Sequence, residues 1–150
     1  WKGFDFNVLF QGVGESSFFI NGFTVYPFSQ GSWGNILTDV VGNYWSLGKN
    51  EDIHAKYPRL TYGNNSNNNR ASTYWLRDGS YLRLKNLEIG YTLPKAFVSS
   101  MHIQNVRFYF MATNLLTFSE FDLWDPELGS SNGQQYPLSR TFTLGMTINL

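Results

Sequence analysis

The sequence of 150 residues contains no cysteine, which excludes a disulfide framework and every kind of thiolate chemistry. It also contains no run of about 18 consecutive apolar residues, so no transmembrane helix is predicted. Neither sign of charge is in excess, because 11 acidic residues balance the 11 basic ones. A chain without a basic surplus has no electrostatic footprint for nucleic acid, and we predict that it binds none.

Catalytic side chains are scarce as well. The two histidines, His54 and His102, have no nucleophile or metal ligand at a useful spacing, and we interpret both as solvent-exposed polar residues. The glycines of GVGES and YGNN are not followed by the lysine of a phosphate-binding loop. The sequence therefore predicts a protein that is not an enzyme, and it indicates no cofactor and no metal site.

Aromatic residues, in contrast, are abundant. They make up 18% of the chain, whereas charged residues make up 15%. Aromatic rings favour sheets, carbohydrate-binding surfaces and membrane interfaces. Two classes therefore stay open at this point, a soluble all-β carbohydrate-binding module and the wall of a membrane β-barrel, whose strands show only weak alternation.

Four segments alternate apolar and polar side chains with the period of a β-strand. They lie near residues 2–13, 79–92, 105–116 and 139–150. In the last segment one face holds Phe142, Leu144, Met146, Ile148 and Leu150, and the other holds Thr141, Thr143, Gly145, Thr147 and Asn149. The faces of the second segment are ambiguous, because regular alternation would place Arg83 and Lys85 on the same face as the apolar Leu87. Either this part stands above a membrane or the strand register shifts.

The connections between these segments are unequal in length. The short link LPKAFVSSMHIQ joins the second segment to the third, whereas loops 14–78 and 117–138 are long. This inequality is typical of outer-membrane barrels, and a structureless loop as long as 14–78 counts against a compact soluble domain. Four strands also leave two open edges, which lipid does not tolerate. We therefore expect the chain to be a piece of a larger closed barrel.

Two features stand out within the long loops. After Asn35, a candidate N-cap, apolar residues recur at helical spacing and predict a short amphipathic helix over 36–45. In the stretch FDLWDPELG, the carboxylates of Asp122, Asp125 and Glu127 suit calcium, but the stretch lacks the EF-hand pattern and Asp-Pro is a common turn former. A structural loop is the preferred interpretation.

The stretches WLRDGSYLRLKNLEIGYTLPK, VRFYFMATNLLTFSEFDLWDPELG and QQYPLSRTFTLGMTINL together resemble the C-terminal end of the SusC/RagA family of TonB-dependent outer-membrane transporters. The stretches WKGFDFNVLFQGV and AKYPRLTYGNN are also similar to segments of that family. The resemblance implies an all-β fold, the C-terminal antiparallel strands of a transmembrane β-barrel of about 22 strands. The chain 1–150 would be a fragment with long extracellular loops, and the plug domain would lie before Trp1.

The resemblance also implies a function. Family members import nutrients, oligosaccharides or peptides, across the outer membrane of Gram-negative bacteria of the Bacteroidota type. A SusD-like surface lipoprotein forms a lid, and TonB supplies energy through an upstream segment. The chain would contact the remainder of its own barrel, the plug and outer-membrane lipid, and its C-terminus would lie in the periplasm. The alternative is the soluble all-β carbohydrate-binding module.

Candidate site residues follow from the same resemblance. Trp33, Trp45, Trp75 and Trp124 fall in or beside the predicted loops, where they are candidate contacts for the substrate or the lid. Packing between loops is the commoner role for individual loop tryptophans. Arg107 and Glu88 are predicted to point into the barrel from neighbouring strands, where they pair with each other or with the plug.

Overall fold

The computed structural model describes residues 2–31, 34–48, 51–99 and 103–150. The chain divides into two compact units. The strand unit comprises residues 1–14, 81–119 and 138–150, and the loop unit comprises residues 15–80 and 120–137. Trp33 and His102, which the sequence analysis singled out, lie outside the described residues.

The described strands are β1 (Phe4–Val13), β2 (Ser17–Phe19), β3 (Leu76–Asp78), β4 (Tyr81–Thr92), β5 (Asn105–Ser119) and β6 (Thr141–Asn149). The strand unit is an antiparallel sheet with the order β1-β4-β5-β6, and β2 pairs with β3 in the loop unit. The predicted all-β antiparallel fold is confirmed. The third predicted segment, 105–116, is longer in the structure, where β5 continues to Ser119.

A β-bulge in β4 explains the ambiguous parity of its first half. Leu9 of β1 pairs with Asn86 whereas Phe10 pairs with Leu84, so Lys85 is an extra residue in β4. The bulge returns Leu87 to the face that Leu84 occupies, and Arg83 falls on the opposite face. Of the two alternatives that the sequence left open, the structure adopts the register shift.

The sheet of the strand unit has one apolar and one mainly polar face. The strand registers place on the apolar face Phe4, Phe6, Val8, Phe10, Leu82, Leu84, Leu87, Ile89, Tyr91, Val106, Phe108, Phe110, Ala112, Leu116, Phe118, Phe142, Leu144, Met146 and Ile148. Most of these side chains are exposed, and Phe142 and Leu144 expose 63% and 83% of their surface. The sheet therefore does not bury its apolar face within the described chain.

The short link between β4 and β5 contains α1 (Lys95–Val98), a single helical turn. Pro94 precedes it with extended backbone, at φ −60° and ψ 141°. Val98 is buried and α1 contacts β5, whereas Phe97 is exposed. No helix among the described residues is long and apolar enough to cross a membrane.

The loop unit has a hydrophobic core of its own. Its buried side chains are Ile20, Val25, Val40, Tyr57, Trp75 and Phe121. Phe121 comes from the second long loop and packs edge-on against Phe18 from the first, with ring centroids 5.0 Å apart. The two predicted loops are therefore folded together into one compact unit, which the sequence analysis did not anticipate.

The amphipathic helix predicted over 36–45 is wrong. The only helical residues there, all of them described, form a 3-10 turn, Thr38–Val40. Its N-cap is Leu37 and not Asn35, and the N-cap side chain makes no capping hydrogen bond. Val41 is extended and Gly42 has φ 81°, so the backbone leaves the helical region after one turn. Val40 is buried in the core of the loop unit, and Ile36, Leu37 and Tyr44 pack against that core, whereas Val41 is 59% exposed.

Candidate functional site

An ion-pair network lies on the polar face of the strand unit. Arg107 of β5 donates from Nη2 to Oε1 of Glu88 at 2.6 Å, which confirms the predicted pairing of these two residues. Arg107 also donates from Nε to Oδ1 of Asp5 at 3.0 Å, and from Nη2 to Oδ2 of the same carboxylate. A bidentate arginine–carboxylate pair adds geometric specificity to the attraction. The network therefore ties β1, β4 and β5 together.

Gly90 makes this network possible. It lies between Asp5 and Tyr109 in the sheet, where β4 separates β1 from β5. A Cβ atom on Gly90 would stand 2.5 Å from both carboxylate oxygens of Asp5 and closer still to Nη2 of Arg107. The missing side chain leaves the path across β4 along which Arg107 reaches β1.

A second glycine accommodates the aromatic ring beside this network. The Arg107 guanidinium lies 5.4 Å from the ring centroid of Tyr109, in the range of a cation–π contact. The Tyr109 ring covers the backbone of Gly145 on β6, so that a Cβ atom there would overlap the ring. Through Tyr109 the ordered polar surface extends to the fourth strand of the sheet.

The loop unit carries a groove that combines aromatic and amide side chains. It has a volume of about 370 Å3, and its lining includes Trp45, Ile53, Asn67, Asn68, Ser72 and Tyr74. Aromatic rings offer flat faces for stacking, while amide and hydroxyl groups donate and accept hydrogen bonds. The lining also includes the carboxylate of Asp52, and among the described lining residues there is no lysine or arginine. The groove therefore suits a polar ligand that has an apolar face and carries no negative charge.

A polar latch lies beside this groove. Asp39 Oδ2 accepts a hydrogen bond of 2.5 Å from the Tyr57 hydroxyl. The same oxygen forms an ion pair with Lys56 Nζ at 2.6 Å. Partial burial raises the pKa of Asp39, but the hydrogen bonds from Lys56 and Tyr57 outweigh burial and hold this pKa below its ordinary value. Burial and the bond to Asp39 raise the pKa of Tyr57, which therefore stays a donor. The latch joins the 3-10 turn Thr38–Val40 to a groove wall.

The described candidate tryptophans differ in their surroundings. Trp75 is 1% exposed, and its Nε1 donates to the carbonyl of Asn68 at 2.7 Å. Trp124 is half-buried, donates to the carbonyl of Ser130 at 3.0 Å, and packs edge-on against Phe121. Trp45 is half-buried and lines the groove. The structure therefore places Trp45 at a concave surface, whereas Trp75 and Trp124 pack between loops.

The acidic stretch of the second loop forms a capped turn. Asp125 Oδ1 accepts a hydrogen bond of 3.0 Å from the backbone N–H of Glu127 and caps the 3-10 turn Pro126–Leu128. Gly129 ends the turn in the left-handed region, at φ 58°. The described residues hold no cluster of three or more acidic or histidine side chains that suits a metal ion. Asp125 thus has the structural role expected of an Asp-Pro turn.

His54 is exposed, as the sequence analysis predicted. Its backbone N–H donates to Oδ1 of Asp52 at 2.8 Å. Sequence reasoning missed Asp5 as a partner of Arg107, although Asp5 has the parity of the polar face. The latch at Asp39 was missed as well, because its partners lie 17 and 18 residues away in irregular chain. No local periodicity signals such a contact.

Comparisons with known proteins agree with this fold. No family model matches the chain. The TonB-dependent receptors P3 and P26 of Formosa agariphila are 33% and 27% identical to it, over 99% of its length in both cases. The chain spans only 15% and 16% of the length of these curated relatives.

Solved structures give the same result. The chain superposes on the RagAB peptide transporter with a TM-score of 0.72 and 26% identity, over 99% of this chain and 16% of that one. It superposes on the RagAB peptide importer in its "closed-closed" state with a TM-score of 0.73 and 27% identity, over the same shares of the two chains. These similarities, together with the two-faced antiparallel sheet, show that the chain corresponds to one segment of TonB-dependent receptors of the SusC/RagA type.

Proposed function

We propose that the chain forms part of the barrel wall and the outer loops of a TonB-dependent importer in the outer membrane. The observation that carries this proposal is the apolar face, most of whose side chains are exposed and which extends across all four strands from Phe4 on β1 to Leu144 on β6. A monomeric soluble protein rarely exposes so large an apolar area. Lipid is the solvent that suits this face, and the polar face with Arg107 then lines the barrel interior.

The height of the apolar face fits a bilayer. From Phe108 to Phe118 the strand β5 advances at most roughly 33 Å, at about 3.3 Å per extended residue, and Asn114 at φ 52° shortens this length. With a tilt of about 40° from the membrane normal, the stretch spans at most about 25 Å, which is comparable to the height of the apolar band on outer-membrane barrels. Both ends of this span carry a phenylalanine, as expected of aromatic girdles.

The open edges of the sheet require further strands. β1 and β6 each pair with only one neighbour among the described residues. Unpaired backbone groups are costly in lipid, so both edges pair with the remainder of the barrel. In this arrangement the plug fills the interior, the long loops face outward and the C-terminus lies in the periplasm.

The importer works without catalysis on nutrients, either oligosaccharides or peptides. The solved relatives are described as a peptide transporter and a peptide importer, which supports the peptide alternative. A SusD-like surface lipoprotein acts as the lid, and TonB drives transport through a segment upstream of this chain. The groove with Trp45 contacts the substrate or the lid, because it offers an aromatic face beside free space.

The other candidate tryptophans have weaker support as contacts. Trp124 is half-buried and could take part only through its exposed side. Trp75 is buried, so that a contact through its ring would require the loop unit to open. The role of Trp33 stays a prediction from the sequence.

The experiment uses the full-length receptor. We expect the unheated protein to migrate faster in detergent gels than the boiled protein, as folded outer-membrane barrels do. Trp45→Ala should lower substrate uptake at an unchanged level of folded receptor. Tyr136→Ala is the matched control, because Tyr136 is another loop-unit aromatic and is 85% exposed. A fragment 1–150 that is soluble, monomeric and cooperatively folded would instead support a carbohydrate-binding module.

A further inference from the structure

We propose that α1, in the link between β4 and β5, is a membrane-surface anchor whose Phe97 inserts among the phospholipid headgroups on the periplasmic side. This inference rests on the proposed function, since it requires the apolar face to lie in lipid. The link is located at the opposite end of the sheet from the long loops, because it joins Thr92 of β4 to Asn105 of β5. It therefore lies at the periplasmic end of the strands.

An aromatic row marks the membrane boundary at this end of the sheet. Phe4, Tyr91 and Phe108 lie side by side across β1, β4 and β5 on the apolar face. The rings of Phe4 and Tyr91 have centroids 4.6 Å apart. Aromatic side chains, and tyrosine especially, favour the level of the headgroups, where an apolar ring and a polar tip are both satisfied. The row therefore locates the edge of the hydrocarbon layer.

The link begins just beyond this row. Thr92, the last residue of β4, directly follows Tyr91 of this row, so the chain leaves β4 only about 3 Å beyond the row. The headgroup region on each side of the hydrocarbon layer is about 5–7 Å thick. The link thus begins at the level of the headgroups.

The burial pattern indicates that α1 lies against the apolar face. Val106, which has the parity of Phe108 on that face, is only 6% exposed. Its neighbours Phe108 and Ile148 on the same face are both exposed, so a further segment must cover Val106. The helix α1 contacts β5, and Val98 is its buried side chain. We therefore place α1 over this end of the apolar face.

The exposed side of α1 has the chemistry of an interfacial anchor. Phe97 exposes 70% of its surface although it lies next to the buried Val98. Lys95, on the same helical turn as Phe97, is also exposed. A phenylalanine gains free energy by leaving water for the headgroup layer, and a lysine with a long apolar stem is attracted by phosphate groups. Phe97 and Lys95 together therefore fit a phospholipid surface.

The test uses the full-length receptor in phospholipid bilayers, with a single cysteine carrying a nitroxide label at Phe97, Ser99 or Leu144. Collisions with oxygen report a lipid environment, and collisions with a water-soluble nickel chelate report exposure to water. Leu144 is the reference for the lipid face. Ser99 is the matched control, because it is exposed and lies two residues from Phe97.

We expect the label at Phe97 to be several-fold less accessible to the nickel chelate than the label at Ser99, with oxygen accessibility approaching that at Leu144. Equal nickel accessibility at Phe97 and Ser99, with Leu144 still in lipid, would overturn the anchor and leave the proposed function intact. Shielding of Phe97 from both reagents would also overturn it, because it would indicate a protein contact. A water-accessible Leu144 would overturn both proposals.

Discussion

Arg107 on β5 pairs with Asp5 on β1 across the intervening strand β4, with its Nε donating to Oδ1 at 3.0 Å. Neighbouring strands are joined by backbone hydrogen bonds, but this contact joins two strands that are not neighbours. Together with the bond from Arg107 to Glu88, it fixes three strands relative to one another on the polar face. The pairing depends on Gly90, whose lack of a side chain opens the path.

The first prediction concerns Gly90. Gly90→Ala should destabilise the folded barrel, although alanine normally improves a strand, because the new methyl group overlaps Asp5 and Arg107. Overpacking of this kind costs about 1–3 kcal/mol. The measurement is the temperature at which the folded, fast-migrating form of the full receptor is lost.

Gly14→Ala is the matched control, because nothing lies within 4 Å of a Cβ atom at Gly14. We expect this control to melt as the unchanged receptor does. If Gly90→Ala also melts at the unchanged temperature, the network does not depend on the missing side chain.

The second prediction concerns Tyr109 and Gly145. Gly145→Ala should lower the melting temperature of the receptor, because the methyl group overlaps the Tyr109 ring. The same change in a Tyr109→Ala background should cost much less, with a coupling of about 0.5–3 kcal/mol between the two sites. Additive effects in this double-mutant cycle would mean that the ring does not rest on Gly145.

Much of the strand unit is predictable from the sequence, because its signal lies in residues that follow one another in the chain. Side-chain alternation in segments such as 139–150 is a property of consecutive residues, so it reveals the strand and its two faces. The sequence left two interpretations of β4, because an extra residue in a strand moves the following side chains to the opposite face. Only the pairing with β1 identifies Lys85 as that extra residue. Asp5 could not be assigned to Arg107 for the same reason, since their pairing depends on the strand register.

The loop unit is much less predictable. Its core residues, including Val40, Tyr57 and Trp75, come from irregular chain in which periodicity carries no information. The apolar spacing near Val40 is that of a helix, although Ile36, Leu37, Val40 and Tyr44 reach the core from a single 3-10 turn and the irregular chain around it. The sequence therefore suggested four equivalent tryptophans, whereas the structure separates the buried Trp75 from the groove-lining Trp45.

The third prediction concerns pH. The pKa of Asp39 in the folded loop unit lies below its ordinary value of 3.8. The latch therefore contributes its full stability above about pH 4, and this contribution is lost as the pH falls through the lowered pKa. Hydrogen exchange reports it through the amide of Trp45, which donates to the carbonyl of Tyr57 at 2.9 Å.

We expect protection of the Trp45 amide to weaken below pH 4, after correction for the intrinsic exchange rate. Asp39→Asn should weaken it already at neutral pH and remove most of the pH dependence. Glu51→Gln is the control, because Glu51 is exposed in the same unit. An Asp39→Asn receptor that keeps the full protection and its pH dependence would exclude the latch as the cause.

The fourth prediction separates two tryptophans. Trp75→Ala should destabilise the loop unit by about 3–5 kcal/mol, because it removes a buried aromatic side chain from a packed core. Limited proteolysis of the intact receptor should then cut within residues 15–80. Trp45→Ala should leave the protease resistance nearly unchanged. Equal sensitivity in the two variants would contradict the distinction between core and groove.

The most direct test of the barrel wall is the accessibility of single cysteines on β6 in the full receptor, embedded in lipid. Phe142 and Leu144 lie on the apolar face, and Thr141 and Thr143 lie on the polar face of the same strand. We predict that cysteines at 142 and 144 react with a lipid-phase reagent and resist a water-soluble one, whereas cysteines at 141 and 143 resist the lipid-phase reagent. Water-phase labelling at 142 and 144, combined with lipid-phase labelling at 141 and 143, would contradict the account.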